Sequence, residues 1–148
     1  MDEAVYLVKA RNNLRTAQHA YEQGDFDSCV SRAYFAVFHV EIAVLLKLTP
    51  FRQERWGHDR VQAEFNRRLI HEQKRFSAAL RFIHNDLIGR RHMADYTAQH
   101  VSARAAERCL RKATEMVSTI AAVLERIFHP EAKNHSITYS IPMPITKS

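Results

Sequence analysis

The sequence predicts an all-α fold: an antiparallel up-and-down bundle of about five helices joined by short connections. Three observations carry that expectation. Glycine and proline are scarce, 3 and 4 in 148 residues, whereas an all-β chain needs a turn every ten residues or so. Apolar residues recur at steps of three and four, the helical period, with no internal repeat. Hydrophobic residues make up 46% of the chain, which supports one compact core, is short for two, and excludes disorder over most of the length.

The first helix is marked by Leu7, Ala10, Leu14, Ala17 and Tyr21, a one-sided apolar stripe. Asp2 and Glu3 sit where the helix dipole favours negative charge. Gly24 ends it, and Asp25 is a good N-cap for the next helix.

The second helix, Phe26 to Leu48, differs in kind. Cys29, Val30, Ala33 to Phe38, Val40 and Ile42 to Leu46 leave little room for a polar face. A helix apolar nearly all round is central, packed on several sides. Arg32 and His39 stand out as exceptions, seven apart and so two turns apart on one face. Pro50 prevents continuation.

After the loop FRQERWG, Val61, Phe65 and Leu69 mark a third, shorter helix, and Phe76, Leu80, Ile83 and Leu87 a fourth that Gly89 is expected to cut. The fifth and longest carries Ala106, Cys109, Leu110, Ala113, Met116, Val117, Ile120, Leu124 and Ile127, with Ser102 as a candidate cap. Its opposite face holds Arg104, Arg108, Arg111, Lys112 and Glu115. Residues 1–129 are thus read as one bundle, and 130–148, which contain three of the four prolines, as a tail without periodicity.

No apolar run approaches the roughly 20 residues of a membrane span, and the opening MDEAVYLVKAR does not read as a signal peptide. Cys29 and Cys109 fall inside apolar helical patterns and read as reduced core thiols, which fits a cytoplasmic location. Net charge is +6, and +5 of it lies in residues 51–92, where ten Lys or Arg face five acids. Such a stretch reads either as solvated helix faces or as a surface for a polyanion, although no aromatic interleaving of the base-stacking kind is evident.

The sequence lacks a Gly-rich phosphate loop, HExxH, paired CxxC and a GxSxG elbow. The nine histidines show no ligand spacing that would hold a metal, and no cofactor is expected. One local feature is sharper. The inward stripe of the fourth helix, continued past Leu87, reaches Arg91 and then Asp95. If the helix persists past Gly89, a guanidinium and a carboxylate at i, i+4 point toward the bundle and can pair. Such a pair either closes the bundle end or forms a polar pocket in which Arg91 meets a phosphate or oxyanion.

Ser31-Arg32-Ala33-Tyr34-Phe35-Ala36-Val37-Phe38-His39 resembles the central-helix signature of HEPN-domain proteins, in particular the small stand-alone prokaryotic group. Gly57-His58-Asp59-Arg60-Val61 with Phe65 is similar to the family's H-x-x-V…F segment, and Arg91-His92-Met93-Ala94-Asp95-Tyr96 to its R-x-x-A-D-Y segment. The resemblance covers about residues 1–128. It implies a five-helix bundle, usually a homodimer, often encoded beside a minimal nucleotidyltransferase and acting with it in toxin–antitoxin or related systems.

Many HEPN proteins are metal-independent ribonucleases whose motif pairs an Arg, often followed by Asn, with a His after three to five more residues. Here Arg91 fits the arginine, but Tyr96 stands where such a nuclease has histidine. Moving a 2′-hydroxyl proton near neutral pH suits histidine and suits tyrosine, with a pKa of about 10, poorly. Arg52 and His58 share the spacing, but in the loop after the second helix. The reading favoured is therefore a non-catalytic binding module for a nucleotidyltransferase-type partner or a nucleotide, with Arg32, His39, Arg91, Asp95 and Tyr96 lining the site. The alternatives are a divergent ribonuclease using Arg91 with His92 or His39, and a bundle in which these residues are scaffolding. No membrane partner is expected.

Overall fold

The computed structural model describes residues 3–128. The tail expected over 130–148, and the boundary at 129, lie outside the described residues. Within them the chain is helical, with no strand. Helix α1 runs Glu3–Glu22, α2 Phe26–Leu48, α3 His58–Glu64, α4 Ile83–Tyr96 and α5 Ala103–Phe128.

The α1–α2 turn follows from its two expected residues. Gly24 takes φ +80°, its N–H donates to the Tyr21 carbonyl at 3.0 Å, and the Asp25 N–H donates to Ala20 at 2.9 Å. This left-handed closure satisfies the last carbonyls of α1. Asp25 then accepts from the Ser28 N–H at 3.2 Å and starts α2. Ser102 likewise accepts from the Ala105 N–H at 3.1 Å at the start of α5.

Helix α2 is the axis of the bundle and packs on α1, α3, α4 and α5. It is 23 residues long and its best window has a mean hydropathy of 1.6, so by length and composition it could cross a membrane, contrary to the sequence expectation. Its burial against four other helices accounts for that apolar character. Leu7, Ala10, Leu14 and Ala17 of α1 and the α5 stripe from Ala106 to Leu124 are buried against it. Arg11 ties α1 to α5 through Glu125 at 2.8 Å. Cys29 and Cys109 are buried free thiols, pushed by burial up to about 12 and about 11, so neither is a ready nucleophile.

Two element expectations need correction. Val61, Phe65 and Leu69 do not share one regular helix: α3 passes at Phe65 into a wider π-type turn over Phe65–Glu72. The wider turn brings Ile70 inward beside Leu69, so both are buried. The fourth helix does not start at Phe76, which is buried in the preceding connection, and it is not cut at Gly89. A 3₁₀ turn, Ala78–Phe82, leads directly into α4, which continues unbroken to Tyr96. A helical glycine costs about 1 kcal/mol, too little to stop a helix anchored by buried Leu87 on one side and Arg91 on the other.

Part of the basic stretch 51–92 is engaged within the fold. Arg60, Arg67 and Arg68 converge on the largely buried Glu64, at 3.5, 2.7 and 2.6 Å. The hydrogen bond from Arg68 is the main reason its carboxyl lies below the usual carboxylate range. Arg60 and Arg68 also stack on Phe51, at 5.5 and 5.8 Å from the ring centroid, an aromatic contact the linear sequence does not reveal.

Candidate functional site

The site forms where the middle of α2 meets the C-terminal half of α4, the start of α3 and one turn of α1. Helix α4 carries Arg91 and Asp95 one turn apart, and they pair, Nε to Oδ2, at 3.2 Å. Asp95 also accepts from the Ser31 hydroxyl of α2 at 3.2 Å, which fixes the carboxylate across the helix interface. The pair sits on the rim of the bundle: the side chains are 17% and 28% exposed. Arg91 donates a further bond to the Tyr96 hydroxyl at 3.3 Å.

The Arg91 guanidinium lies over aromatic rings, 4.9 Å from the centroid of half-buried Phe35 and 5.4 Å from Tyr34. Arg32 reaches the same Phe35 ring at 5.0 Å. Its NH1 donates to Asn13 Oδ1 of α1 at 3.0 Å, which turns the amide so that Nδ2 donates to His39 Nδ1 at 3.1 Å. The expected placement of Arg32 and His39 on one face therefore holds, with Asn13 as the bridge. Burial, with Lys9, Arg32 and His58 adding repulsion, lowers His39 to about 4, so it is neutral at pH 7.

Beneath Arg91 lies a hydrogen-bonded chain that sequence reasoning missed. His58, the first residue of α3, bonds through Nδ1 to the Tyr34 hydroxyl, and its ring stacks on Phe38 with centroids 4.2 Å apart. The same hydroxyl meets His84 Nε2 of α4 at 3.2 Å, and His84 Nδ1 meets Glu41 Oε1 of α2 at 2.6 Å. His84 and Glu41 are each 1% exposed. Burial raises Glu41 well above the usual carboxylate range, against the opposing pull of His84. Burial and then the Arg91 charge hold His58 below the usual imidazole value.

Signals for this chain existed in the sequence. Glu41 is a carboxylate inside an otherwise apolar run, and His84 lies on the inward stripe between Leu80 and Leu87. The concavity lined by Phe82, Ile83, Asp86, Lys112 and Glu115 contains none of these residues.

A family model for the HEPN domain matches residues 4–127. The chain belongs to the HEPN family. No curated protein matches it. HEPN membership places its function in the nucleotide- and RNA-related class of that family.

Within this HEPN bundle, the residues of the three quoted motifs meet at one place: Ser31, Arg32, Tyr34, Phe35, Phe38 and His39 from the first, His58 from the second, Arg91, Asp95 and Tyr96 from the third. His92 does not join them. It is exposed, and its ring packs on Tyr96 with centroids 5.3 Å apart. Tyr96 is 65% exposed and lies at the outer edge of the site. Arg52 is engaged elsewhere, on the carbonyls of Leu46, Thr49 and Phe51 at the end of α2, so its spacing to His58 has no catalytic meaning.

Proposed function

We propose that this HEPN chain is a binding module that takes the phosphate of a nucleotide, or of RNA, between Arg91 and Arg32 without cleaving it. One observation carries the reading: two guanidiniums converge on the single ring of Phe35, while among the described residues one carboxylate, Asp95, pairs with them. The flanking histidine His39 is held neutral by burial first and then by the nearby charges of Lys9 and Arg32 and by His58. A partly desolvated surplus of this kind favours an anion, and guanidinium is the group best suited to grip phosphate oxygens. A homodimer acting with a nucleotidyltransferase-type partner belongs to the same reading, on family resemblance alone.

Calorimetric titration with 5′-AMP and with adenosine tests it. The reading expects 5′-AMP to bind at least about tenfold more tightly than adenosine, and Arg91→Gln to remove the difference, since a charge-assisted bond contributes about 1.5–3 kcal/mol. Equal affinity for the two ligands contradicts it.

One observation favours a second reading, a metal-independent ribonuclease. His58 stands close enough to Arg91 to feel its charge and is kept below the usual imidazole range, a suitable state for a general base. RNA incubated with pure protein in EDTA decides it. Cleavage lost in His58→Ala and kept in His92→Ala supports that reading; intact RNA leaves the binding module.

A further inference from the structure

The chain beneath the pocket has two consistent ways of placing its hydrogens. The Tyr34 hydroxyl has one hydrogen and touches two ring nitrogens, so it donates to one and accepts from the other. With Glu41 ionised, His84 Nδ1–H donates to Glu41, Tyr34 O–H donates to His84 Nε2, and His58 Nδ1–H donates to Tyr34. His58 Nε2 then carries a lone pair. With one more proton on board every bond reverses: the proton is held by the Glu41–His84 pair, His84 Nε2–H donates to Tyr34, Tyr34 donates to His58 Nδ1, and His58 Nε2 carries a hydrogen.

We infer that Glu41, His84, Tyr34 and His58 form a proton relay, in which a proton accepted at His58 Nε2 is stored on the buried Glu41–His84 pair. The steps balance without a co-reactant. An N–H bond forms at His58 Nε2, and the Nδ1 hydrogen passes to the Tyr34 oxygen. The phenol's own hydrogen passes to His84 Nε2, and the His84 Nδ1 hydrogen passes to Glu41 Oε1 or stays shared with it. The charge that changes is that of the Glu41–His84 pair.

Three observations favour this over a static network. Direct protonation would make His58 a cation facing Arg91, His84 and His39, with Asp59 opposing them. The relay lets His58 take a proton and remain neutral. Glu41 faces His84, and its second oxygen, Oε2, is buried with no hydrogen-bond partner among the described residues. An orphaned carboxylate oxygen is costly when charged and cheap when the group is protonated, so storage there is favourable. Finally, His58 Nε2 bonds to no described residue and is the atom left for a ligand. It can donate to a phosphate oxygen in one state and accept from a ribose hydroxyl in the other.

The test is made on the free full-length protein, so it stands whether or not phosphate binds at Arg91. Histidine ring nitrogens labelled with ¹⁵N are followed by NMR from about pH 5 to about pH 9, a range that brackets ordinary imidazole titration. The relay predicts that His58 and His84 exchange tautomer with one shared midpoint and that His58 never becomes imidazolium. Glu41→Gln should abolish the step for both rings. Tyr34→Phe, which keeps the aromatic packing, should abolish it for His58 alone. A His58 that keeps one tautomer throughout, that titrates to imidazolium in wild type, or that exchanges unchanged in Glu41→Gln overturns the relay. Should Glu41→Gln fail to fold, the shared midpoint in wild type and its loss at His58 in Tyr34→Phe decide the matter.

Discussion

Arg91 holds its guanidinium carbon 4.9 Å from the centroid of Phe35, a contact that joins α4 to α2 at the rim of the bundle. The contact is directional because Arg91 Nε is tied back to Asp95 and one terminal nitrogen to Tyr96. A cation fixed in this way has lost most of its rotamer entropy before any ligand arrives, and that preorganisation is what an anion site requires. The same tethers make Arg91 only a modest contributor to stability. A partly exposed i, i+4 ion pair and a rim cation–π contact together contribute about 1–2 kcal/mol.

Substitutions at Gly24, Gly89 and Lys74 differ in sign. Gly24 has φ +80°, so Gly24→Ala should cost about 1 kcal/mol by strain alone, because the added methyl meets nothing within 4 Å. Gly89 lies inside α4 with equal space, so Gly89→Ala should stabilise by about 0.5–1 kcal/mol. Lys74, the non-glycine with φ +52°, should gain a comparable amount on Lys74→Gly. Chemical denaturation of the three variants checks the pattern; a destabilising Gly89→Ala would refute the continuous α4.

Stability should fall on the acid side for a traceable reason. His39 sits at about 4 in the fold and near 6.5 when unfolded, so the unfolded chain takes the proton first as pH drops. The stability present above about pH 6.5 is therefore lost between about 6.5 and 4. Protonation also turns His39 Nδ1 from acceptor to donor against Asn13 Nδ2 and breaks the link to Arg32. Melting temperature measured across that window should vary less in His39→Gln than in wild type. Asp27, lowered by the Val101 backbone N–H and then by His100, contributes loss at still lower pH in both proteins.

Arg52 closes the C-terminus of α2 by donating to the carbonyls of Leu46, Thr49 and Phe51 at 3.1, 2.9 and 2.8 Å. Arg52→Ala should cost about 1 kcal/mol through loss of these charge-assisted bonds at the negative end of the helix dipole. Arg52→Lys should recover only part, since a single ammonium cannot span three carbonyls. Thermal melts of the two variants measure it, and equal stability of Arg52→Lys and wild type would contradict the capping role.

Local chemistry made much of the bundle legible. Gly24, Asp25 and Ser102 do what their side chains dictate, and the apolar stripes of α1 and α5 are the buried ones. Gly89 misleads because its intrinsic cost is small beside the packing that holds α4. The π-type turn after Phe65 misleads because its register depends on burying Ile70 along with Leu69. At the site, Arg32, His39, Arg91, Asp95 and Tyr96 were visible as polar exceptions and motif residues. The Glu41–His84–Tyr34–His58 chain was not, because its bonds join residues 24 to 50 positions apart. Spacing rules describe one helix at a time and cannot place a carboxylate of α2 against a histidine of α4.

The central claim, that Arg91 and Arg32 grip one phosphate across Phe35, is tested most directly by a double-mutant cycle. Dissociation constants for 5′-AMP would be measured for wild type, Arg91→Gln, Arg32→Gln and the double variant. The account predicts about 10- to 100-fold weaker binding in Arg91→Gln and a coupling between the two sites of at least about 0.5 kcal/mol. Unchanged affinity in Arg91→Gln, or strictly additive losses, would contradict it.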